Sequence, residues 1–304
     1  MDTSEASHRY TETSWFRANA LVFLNTLRAE FTPLALICVQ FALVALVLQE
    51  LDILTPAFRR AFYLAGAAFL VNHFLPHRFR LAFFGFLGLA TVLLIMGGSP
   101  DSFWDPGLAI GRTALLLGAA AVLIGVCFLP IGFWVRAALL GVLGIGMALL
   151  RKEVIDLGPF VLVWPLLASF FMFRIVVFLY DLSTWKARPG WRESVGYFFL
   201  FPNVVSMLFP VVDFKTMCRS HYDSDAIAIY ERGMEWIARG VLQLVGYRIV
   251  TQLLSLGPEE VTSGADVIQY VLATTLIYLQ VSGLFHLLVG MLLLFGFNLP
   301  ETHK

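Results

Sequence analysis

Val281-Ser-Gly-Leu-Phe-His286-Leu-Leu-Val-Gly290-Met-Leu-Leu-Leu-Phe295 is a nearly continuous apolar stretch close to the carboxyl end of the chain. It continues a helical pattern that starts at Asp266 and runs without proline to Phe297, a length of 32 residues. At ~1.5 Å per residue such a helix would be about 48 Å long, whereas the hydrocarbon core of a bilayer is only ~30 Å thick. The segment must therefore tilt strongly, project beyond the bilayer or break, and Ser282-Gly283 is the predicted bend.

The composition of the whole chain also favours a membrane protein. Of its 304 residues, 59% are apolar and 14% are charged, and the mean hydropathy is +0.80. Soluble domains carry about a quarter of charged residues, and repeated apolar runs of ~20 residues are typical of spanning helices. We predict an all-α, polytopic helical membrane protein with about 8 to 10 membrane segments, broken or re-entrant ones included. Transmembrane β-strands are disfavoured because they would alternate over ~10 residues.

Charge and cysteine usage exclude some other classes. The 21 basic and 21 acidic residues cancel, so we expect no nucleic-acid partner. Cys38, Cys127 and Cys218 fit neither a disulfide framework nor a zinc site, and we expect no metal cofactor.

The chain divides into a short polar beginning and one long membrane domain. Residues 1–31 read as a polar tail and an interfacial helix, although the helix fits a cytoplasmic extension of the first span equally well. Residues 32–304 read as a single membrane domain. Its first predicted spans are Pro33 to Leu48, Ala61 to Leu75, Phe79 to Met96, Leu108 to Leu129, Ile131 to Leu150 and Leu157 to Tyr180.

The distribution of basic residues predicts the orientation. If the spans alternate, one side holds Arg9, Arg17, Arg28, Arg78, Arg80, Lys186, Arg188 and Arg192, and the other holds Arg59, Arg60, Arg151 and Lys152. The larger group places the N-terminus in the cytoplasm.

Two later segments differ from plain spans. Glu193 to Val212 is interrupted by Pro202-Asn203 and carries Pro210 near its end, so we expect a broken or re-entrant segment that is buried in protein. Ala226 to Leu256 starts with charged residues and continues as an apolar helix. Its second half carries a polar stripe, formed by Gly240, Gln243, Tyr247, Arg248, Thr251 and Gln252.

Ionisable residues inside apolar spans are the candidate functional residues, because a charge in lipid costs several kcal/mol. They are Arg112, Arg136, Arg174, Arg248 and His286. We expect Arg112 and Arg136 to reach the headgroups. Arg174 and Arg248 either form structural pairs or line a substrate path. For Arg174 the candidate partners are Asp181 and the carbonyls freed at Pro202 or Pro210.

Three more polar residues complete the candidate substrate path, namely Gln252, Asn203 and Asp213. His286 is a weak catalytic candidate. A histidine can take a proton from an acceptor hydroxyl, but a single histidine on a helix more often bonds a neighbour.

Several elements between Trp191 and Lys304 resemble the membrane-bound O-acyltransferase family, nearest its polysaccharide and alginate O-acetylase branch. They are the pairs Phe201-Pro202 and Phe209-Pro210, the helix with Tyr230-Glu-Arg-Gly233, and the closing Gly296-Phe-Asn-Leu-Pro300-Glu301. The resemblance implies an intramembrane histidine in a tunnel, with acyl-CoA or another acyl donor entering from the cytoplasm and a hydroxyl acceptor from the opposite side.

The chain departs from that family in its histidine motifs. In the O-acetylase branch a Phe-Trp-Arg-Arg segment and a Trp-His-Gly type segment follow the Gly-Phe-x-x-Pro-Glu element, and neither matches a residue here. His286 aligns instead with a position that is usually acidic in that branch. We therefore expect the N-terminal portion of such an enzyme, inactive alone, whose catalytic histidine lies outside this chain.

The sequence leaves three functions open. The first is transfer of an acyl group, such as acetyl, to hydroxyls of an extracytoplasmic glycan. The second is a non-catalytic scaffold or conduit in an acylation complex, and the third is a small-solute transporter. The expected partners are membrane lipid, the acyl donor, and either a C-terminal half or an extracytoplasmic acyltransferase.

Overall fold

The computed structural model describes residues 31–98, 104–149, 163–164, 167, 174–184, 190–201, 212–254 and 256–299. These residues are helical apart from turns and loops, and an isolated bridge between His221 and Phe297 is their one β-type pairing. The helices are α1 (Phe31–Glu50), α2 (Pro56–Phe74), α3 (His77–Met96), α4 (Pro106–Phe128), α5 (Phe133–Leu149), α6 (Ile175–Thr184), α7 (Trp191–Phe198), α8 (Phe214–Ser220), α9 (Ala226–Leu253), α10 (Gly264–Leu276) and α11 (Tyr278–Leu294).

The protein is an all-helical membrane protein. Among the described residues, four helical segments are long and apolar enough to cross a bilayer: α1, α3, α4 and the continuous α10–α11 segment Gly264–Leu294. The helices α5 and α6 are apolar but shorter. The predicted total of about 8 to 10 membrane segments stays a prediction. The chain divides into two compact units within α1, between Leu43 and Val44, and the second unit contains all the helices from α2 to α11.

Helix starts follow ordinary capping chemistry. Thr55 accepts a hydrogen bond from the Phe58 amide at the start of α2, and Asp105 accepts one from Leu108 at the start of α4. Pro56 and Pro106 occupy the first turn, where no intrahelical donor is lost. The predicted starts lie a few residues too late, because the capping turns themselves are not apolar.

The long C-terminal segment is interrupted at Ile277 and not at Ser282-Gly283, so the predicted position of the bend was wrong. The Ile277 amide bonds to the carbonyls of Thr274 and Thr275, a local tightening that leaves the helix nearly continuous. Gly283 stays helical because it lies in a close helix contact. A Cβ there would lie 2.9 Å from the Gly240 carbonyl oxygen.

Helices α9 and α11 pack on each other through small residues. A Cβ on Gly240 would lie 2.7 Å from the Gly283 oxygen, and one on Gly290 would lie 2.7 Å from the Gly233 oxygen. Real Cβ atoms almost never come this close, so only glycine allows the two backbones to approach. The residues from Leu287 to Phe295 are all buried, which makes this pair the most tightly packed part of the fold.

Helix α7 ends early, as expected for a broken segment. It stops at Phe198, and the following residues up to Phe201 are buried. Gly88 of α3 lies directly against the Phe199 carbonyl, so the break is enclosed by protein on this side. Pro202, Asn203 and Pro210 lie outside the described residues. The polar tail at 1–30, the basic pair Arg151-Lys152 and the closing Pro300-Glu301 lie outside them as well.

Candidate functional site

His286 lies half-buried on α11, in a defined orientation. Its Nδ1 is 2.6 Å from the Ser282 carbonyl oxygen, and its ring stacks on Trp236 of α9 with centroids 4.7 Å apart and planes 19° apart. Because a carbonyl only accepts, we assign the proton of neutral His286 to Nδ1. Nε2 then has the unprotonated lone pair that a general base needs.

Trp236 is almost fully buried and ties His286 to the surface of α9. The guanidinium of Arg239 lies 5.7 Å from the Trp236 ring centroid. The ring therefore has the imidazole stacked on it and a cation nearby, which fixes the plane of the imidazole. This order suits general-base catalysis, and it also satisfies the structural needs of a lone helix histidine.

Arg174 is buried and bonds to the broken end of α7. Its Nη1 donates to the carbonyl oxygens of Tyr197 at 2.9 Å and Phe198 at 3.1 Å. Phe198 is four residues before Pro202, so its carbonyl has no amide to accept from in a helix. These carbonyls lie at the C-terminus of α7, where the last carbonyls of a helix lack intrahelical partners. Pro202 lies outside the described residues, so a carbonyl freed by proline stays a prediction.

The two nearby carboxylates have structural partners. Asp181 accepts from the Lys215 amide at 3.2 Å and lies 3.6 Å from the Lys215 ammonium group. Asp213 caps α8 by accepting from the Thr216 amide at 3.1 Å. These bonds link α6 to α8 and fix the entry into α8, and the substrate-path role of Asp213 stays a prediction.

Other arginines also bond to carbonyls at helix ends. Arg112 is 5% exposed and donates to the carbonyls of Met96 and Gly98 at 2.7 Å, at the C-terminus of α3. Arg136 donates to the Cys127 carbonyl at 2.7 Å, at the end of α4. The prediction that Arg112 reaches the headgroups was wrong, because the last carbonyls of a helix are unsatisfied and carry its negative dipole end. No local pattern reveals this pairing, since donor and acceptor lie on different helices.

Arg248 and Gln252 lie on the exposed surface of α9. Gly240, at the start of the same polar stripe, is buried against α11 instead. The stripe therefore divides between a helix contact and the protein surface within the described residues. Asn203 lies outside them, and the substrate-path role of these residues stays a prediction.

A small cavity joins Arg174 to the end of the chain that the structure describes. It measures about 10 Å³, room for about one water molecule, and Arg174, Tyr197, Leu200, Leu292, Phe297 and Leu299 line it. The hydroxyl of Tyr197 is buried and has no hydrogen-bond partner among the described residues. The structure brings Arg174 close to the end of α11, but it shows no contact of Arg174 with His286, Arg248 or Gln252 in the described part.

A polar cluster at the α2–α3 turn was missed by reasoning from the sequence. Asn72 donates to the Tyr222 hydroxyl at 2.9 Å, and that hydroxyl lies 3.0 Å from the hydroxyl of Tyr230. Arg80 bonds to the carbonyls of His73 and Leu75 and lies 4.6 Å from the Tyr222 ring centroid. In the sequence, the spacing of two histidines around Pro76 is only a weak signal of this cluster. It does not reveal that Asn72 bonds to a residue 150 positions away.

His221 belongs to the same cluster. Burial, and then the neighbours His77 and Arg80, lower its pKa to about 4. Its Nε2 is buried and has no hydrogen-bond partner among the residues that the structure describes. The imidazole is thus held in its neutral form at physiological pH.

The motif Gly296-Phe297 is fixed by the loop after α8. Gly296 has a φ of +86° and its carbonyl accepts from the Tyr222 amide at 2.7 Å, while Tyr222 itself has a φ of 51°. The backbone amide of Asn298 donates to the Ser220 carbonyl at 2.9 Å, and the Asn298 side chain accepts from Arg232 at 2.6 Å. The element therefore acts as a clamp that holds the end of α11 against the start of α9.

The comparisons provide no relative. No family model, no curated protein and no solved structure matches this chain. Among the described residues, no group of three or more His, Cys, Asp or Glu is placed to hold a metal ion.

Proposed function

We propose that this chain is a membrane O-acyltransferase-family protein that takes part in transferring an acyl group, such as acetyl, from acyl-CoA to hydroxyls of an extracytoplasmic glycan. In this proposal its bundle forms a wall of the acyl-transfer chamber, and the catalytic histidine motif belongs to sequence outside these residues. The imidazole there would remove the acceptor proton as the hydroxyl oxygen attacks the thioester carbon, and the CoA thiol would leave with a proton.

One observation carries this proposal. The residues just before Phe201-Pro202 and the closing element from Gly296 are about 100 residues apart in sequence, yet Tyr197 and Leu200 share a cavity with Phe297 and Leu299. The ring of Phe201 also lies 6.3 Å from that of Phe295. Motifs that converge in space support a shared site more strongly than motifs that match only in order.

The polar cluster supports the same arrangement. His77, Arg80 and Tyr222 lie at the end of the bundle that the basic-residue count assigns to the cytoplasm. An acyl-CoA donor would arrive on that side, since its phosphates stay in water. The proposal accordingly places the protein in a bacterial-type inner membrane with a cytoplasmic N-terminus.

A second candidate function is that of a scaffold or conduit without catalysis. It is favoured by the surroundings of His286, whose ring and Nδ1 both serve packing between α9 and α11. In this case the protein would hold a partner that performs the transfer.

The experiment that tests the proposal uses membranes containing the chain, radiolabelled acetyl-CoA and an acetylatable polysaccharide. We expect no transfer from the chain alone, and transfer when it is co-expressed with the polypeptide encoded directly downstream of Lys304. Robust transfer by the 304 residues alone would contradict the proposal.

The variant His286→Ala then tests the role of His286 in the active, co-expressed system. An unchanged rate at normal abundance would assign His286 to packing and leave catalysis to the other segment. A large loss of rate, with the protein still folded and abundant, would assign the chemistry to His286 and contradict both candidates.

A further inference from the structure

The turn between α4 and α5 presents apolar side chains to its surroundings. Its sequence is Phe128-Leu-Pro-Ile-Gly-Phe-Trp-Val135, and we call these residues the α4–α5 tip. All of them are exposed except Phe133, which is half-buried. Trp134 is 81% exposed and Val135 is 53% exposed. A continuous apolar surface of this kind usually marks a contact with another protein or with a membrane.

The tip lacks the charged residues that other turns of the fold carry. Residues 113–135 include no Asp, Glu, Lys, Arg or His. Turns that lie in water are ordinarily polar. Other connections between consecutive helices have an ionisable residue in the turn or next to it, namely Asp52, His77, Asp105, Asp223 and Glu259.

Backbone groups of the tip are bonded within the protein. The Ile131 amide donates to the Leu129 carbonyl at 2.8 Å. The Arg136 amide donates to the Gly132 carbonyl at 3.2 Å. The Arg136 side chain points back to α4 and donates to the Cys127 carbonyl at 2.7 Å. A turn needs such internal bonds where water is scarce, because an unpaired peptide group in hydrocarbon costs several kcal/mol.

The length of α5 limits how far the tip reaches across a bilayer. With 17 residues at ~1.5 Å each, α5 is about 26 Å long, whereas the hydrocarbon core is ~30 Å thick. The charged pair Arg151-Lys152 follows α5 in the sequence and marks the side from which the chain leaves the membrane. Measured from that side, the start of α5 falls short of the opposite headgroups.

The adjoining helix surfaces favour lipid as the material around the tip. Helix α4 is long and apolar enough to cross a bilayer. Outward side chains on both helices are exposed, for example Val122 at 57%, Val142 at 68% and Ile145 at 64%. This apolar surface continues from α4 around the tip into α5, and Arg136, whose side chain is directed at the Cys127 carbonyl, is the one charged residue between 113 and 149. A surface that faces lipid along both helices therefore extends around the turn.

From these observations we propose that the α4–α5 tip lies inside the membrane in contact with lipid, short of the headgroups on its side. Arg136 stabilises this position by bonding a carbonyl at the end of α4. Two full crossings and a hairpin that turns inside the membrane both return the chain to the same side, so the predicted orientation is unchanged. The placement is also independent of the proposed acyl transfer.

A nitroxide spin label at the tip measures its depth directly. The full chain, with Cys38, Cys127 and Cys218 replaced by alanine, receives the variant Ile131→Cys for labelling and is reconstituted in lipid nanodiscs. The same chain without the added cysteine is the blank. Oxygen concentrates in hydrocarbon and a nickel chelate stays in water, so the ratio of their collision rates with the label reports its depth.

Two exposed positions provide matched references. Val142→Cys places the label in the middle of α5, and Glu259→Cys places it in a charged turn. We expect the oxygen-to-nickel ratio at Ile131 to exceed that at Glu259 by at least about tenfold, because a strongly polar solute partitions poorly into hydrocarbon. Trp134→Cys is the second tip position, and it should give the same result.

Two outcomes would overturn the proposal. A ratio at Ile131 and Trp134 as low as the ratio at Glu259 would place the tip in water. Low collision rates with both reagents at the tip would show that protein covers it, as in a contact with a second copy of the chain.

Discussion

The helix pairs α9–α11 and α4–α5 are both apolar and rich in glycine, but the space around their glycines differs. In α9–α11 a Cβ on Gly240 or Gly290 would meet backbone atoms of the partner helix at 2.7 Å. In α4–α5 a Cβ on Gly118, Gly125 or Gly141 would meet nothing within 4 Å. The first pair is a contact between protein backbones, whereas these three glycines of the second pair lie on the exposed surface. Glycine content alone therefore does not identify a helix interface.

The largest expected effect on stability comes from disrupting the close contact between α9 and α11. Gly240→Leu would place a side chain into the Gly283 carbonyl and the Leu287 amide, so we expect failure to fold or a loss of at least ~3 kcal/mol. The matched control Gly118→Leu should keep stability within ~0.5 kcal/mol and even favour the helix, since glycine is a poor helix former. SDS-titrated unfolding in bicelles, followed by circular dichroism, measures both. Equal losses of stability in the two variants would show that Gly240 is no more tightly packed than Gly118.

The same comparison shows how far the fold can be predicted from the sequence. Hydropathy and helix periodicity predicted the all-α membrane fold and the places of α1 to α5, because lipid-facing and buried helices are both apolar. Apolar character did not reveal the contact between Gly233 and Gly290, because a close approach also depends on the residues of the partner helix. The pattern placed the bend at Ser282-Gly283 because glycine weakens an isolated helix, whereas here packing against α9 keeps it straight.

The candidate site was less predictable, for a related reason. Backbone carbonyls near Pro202 could be offered as partners of Arg174 because the proline rule is local, and the bonds to Tyr197 and Phe198 lie just before that position. Arg112 could not be assigned to the end of α3, nor Asn72 brought to Tyr222, because these pairs depend on tertiary contacts. An exposed arginine and a capping arginine look alike in a sequence.

The second prediction compares Arg174, which lines the cavity beside α11, with Arg136 of α5. Arg174→Met would leave the buried carbonyls of Tyr197 and Phe198 without their donor, so we expect a loss of about 3 kcal/mol. Arg136→Met removes one bond, to the Cys127 carbonyl at a half-buried site, and should cost about 1 kcal/mol. The same unfolding titration measures both variants. If Arg136→Met proved as damaging as Arg174→Met, burial would not be the deciding difference.

The third prediction uses pH. The pKa of His221 is lowered to about 4 from the ordinary value of 6.5, mainly by burial and then by His77 and Arg80. Between these values the unfolded chain binds a proton that the folded protein does not, so stability falls as pH falls from 6.5 to 4 and the loss is complete below 4. The slope has a ceiling of about 1.4 kcal/mol per pH unit, and solvent screening lowers it.

His221→Gln provides the control for this pH dependence. The variant should show a flatter profile between pH 6.5 and 4, measured by unfolding at fixed ionic strength. The α4–α5 pair carries no histidine or carboxylate from Pro106 to Leu149, so it cannot be the source of the slope. A profile that stays equally steep in the variant would assign the dependence to another group.

The smallest expected effect concerns the hydroxyl pair at the start of α9. Tyr230→Phe removes one hydrogen bond, to Tyr222, and leaves the bond between Asn72 and Tyr222 in place, so we expect a loss of about 0.5–1 kcal/mol. Tyr222→Phe removes both bonds and leaves the buried Asn72 amide without its acceptor, and should cost about 1–2 kcal/mol. A double variant that loses no more than Tyr222→Phe alone would confirm that the Tyr230 hydroxyl acts only through Tyr222. An additive loss would instead indicate that the Tyr230 hydroxyl has a second hydrogen-bond partner, independent of Tyr222, and would contradict a single chain of hydrogen bonds from α2 to α9.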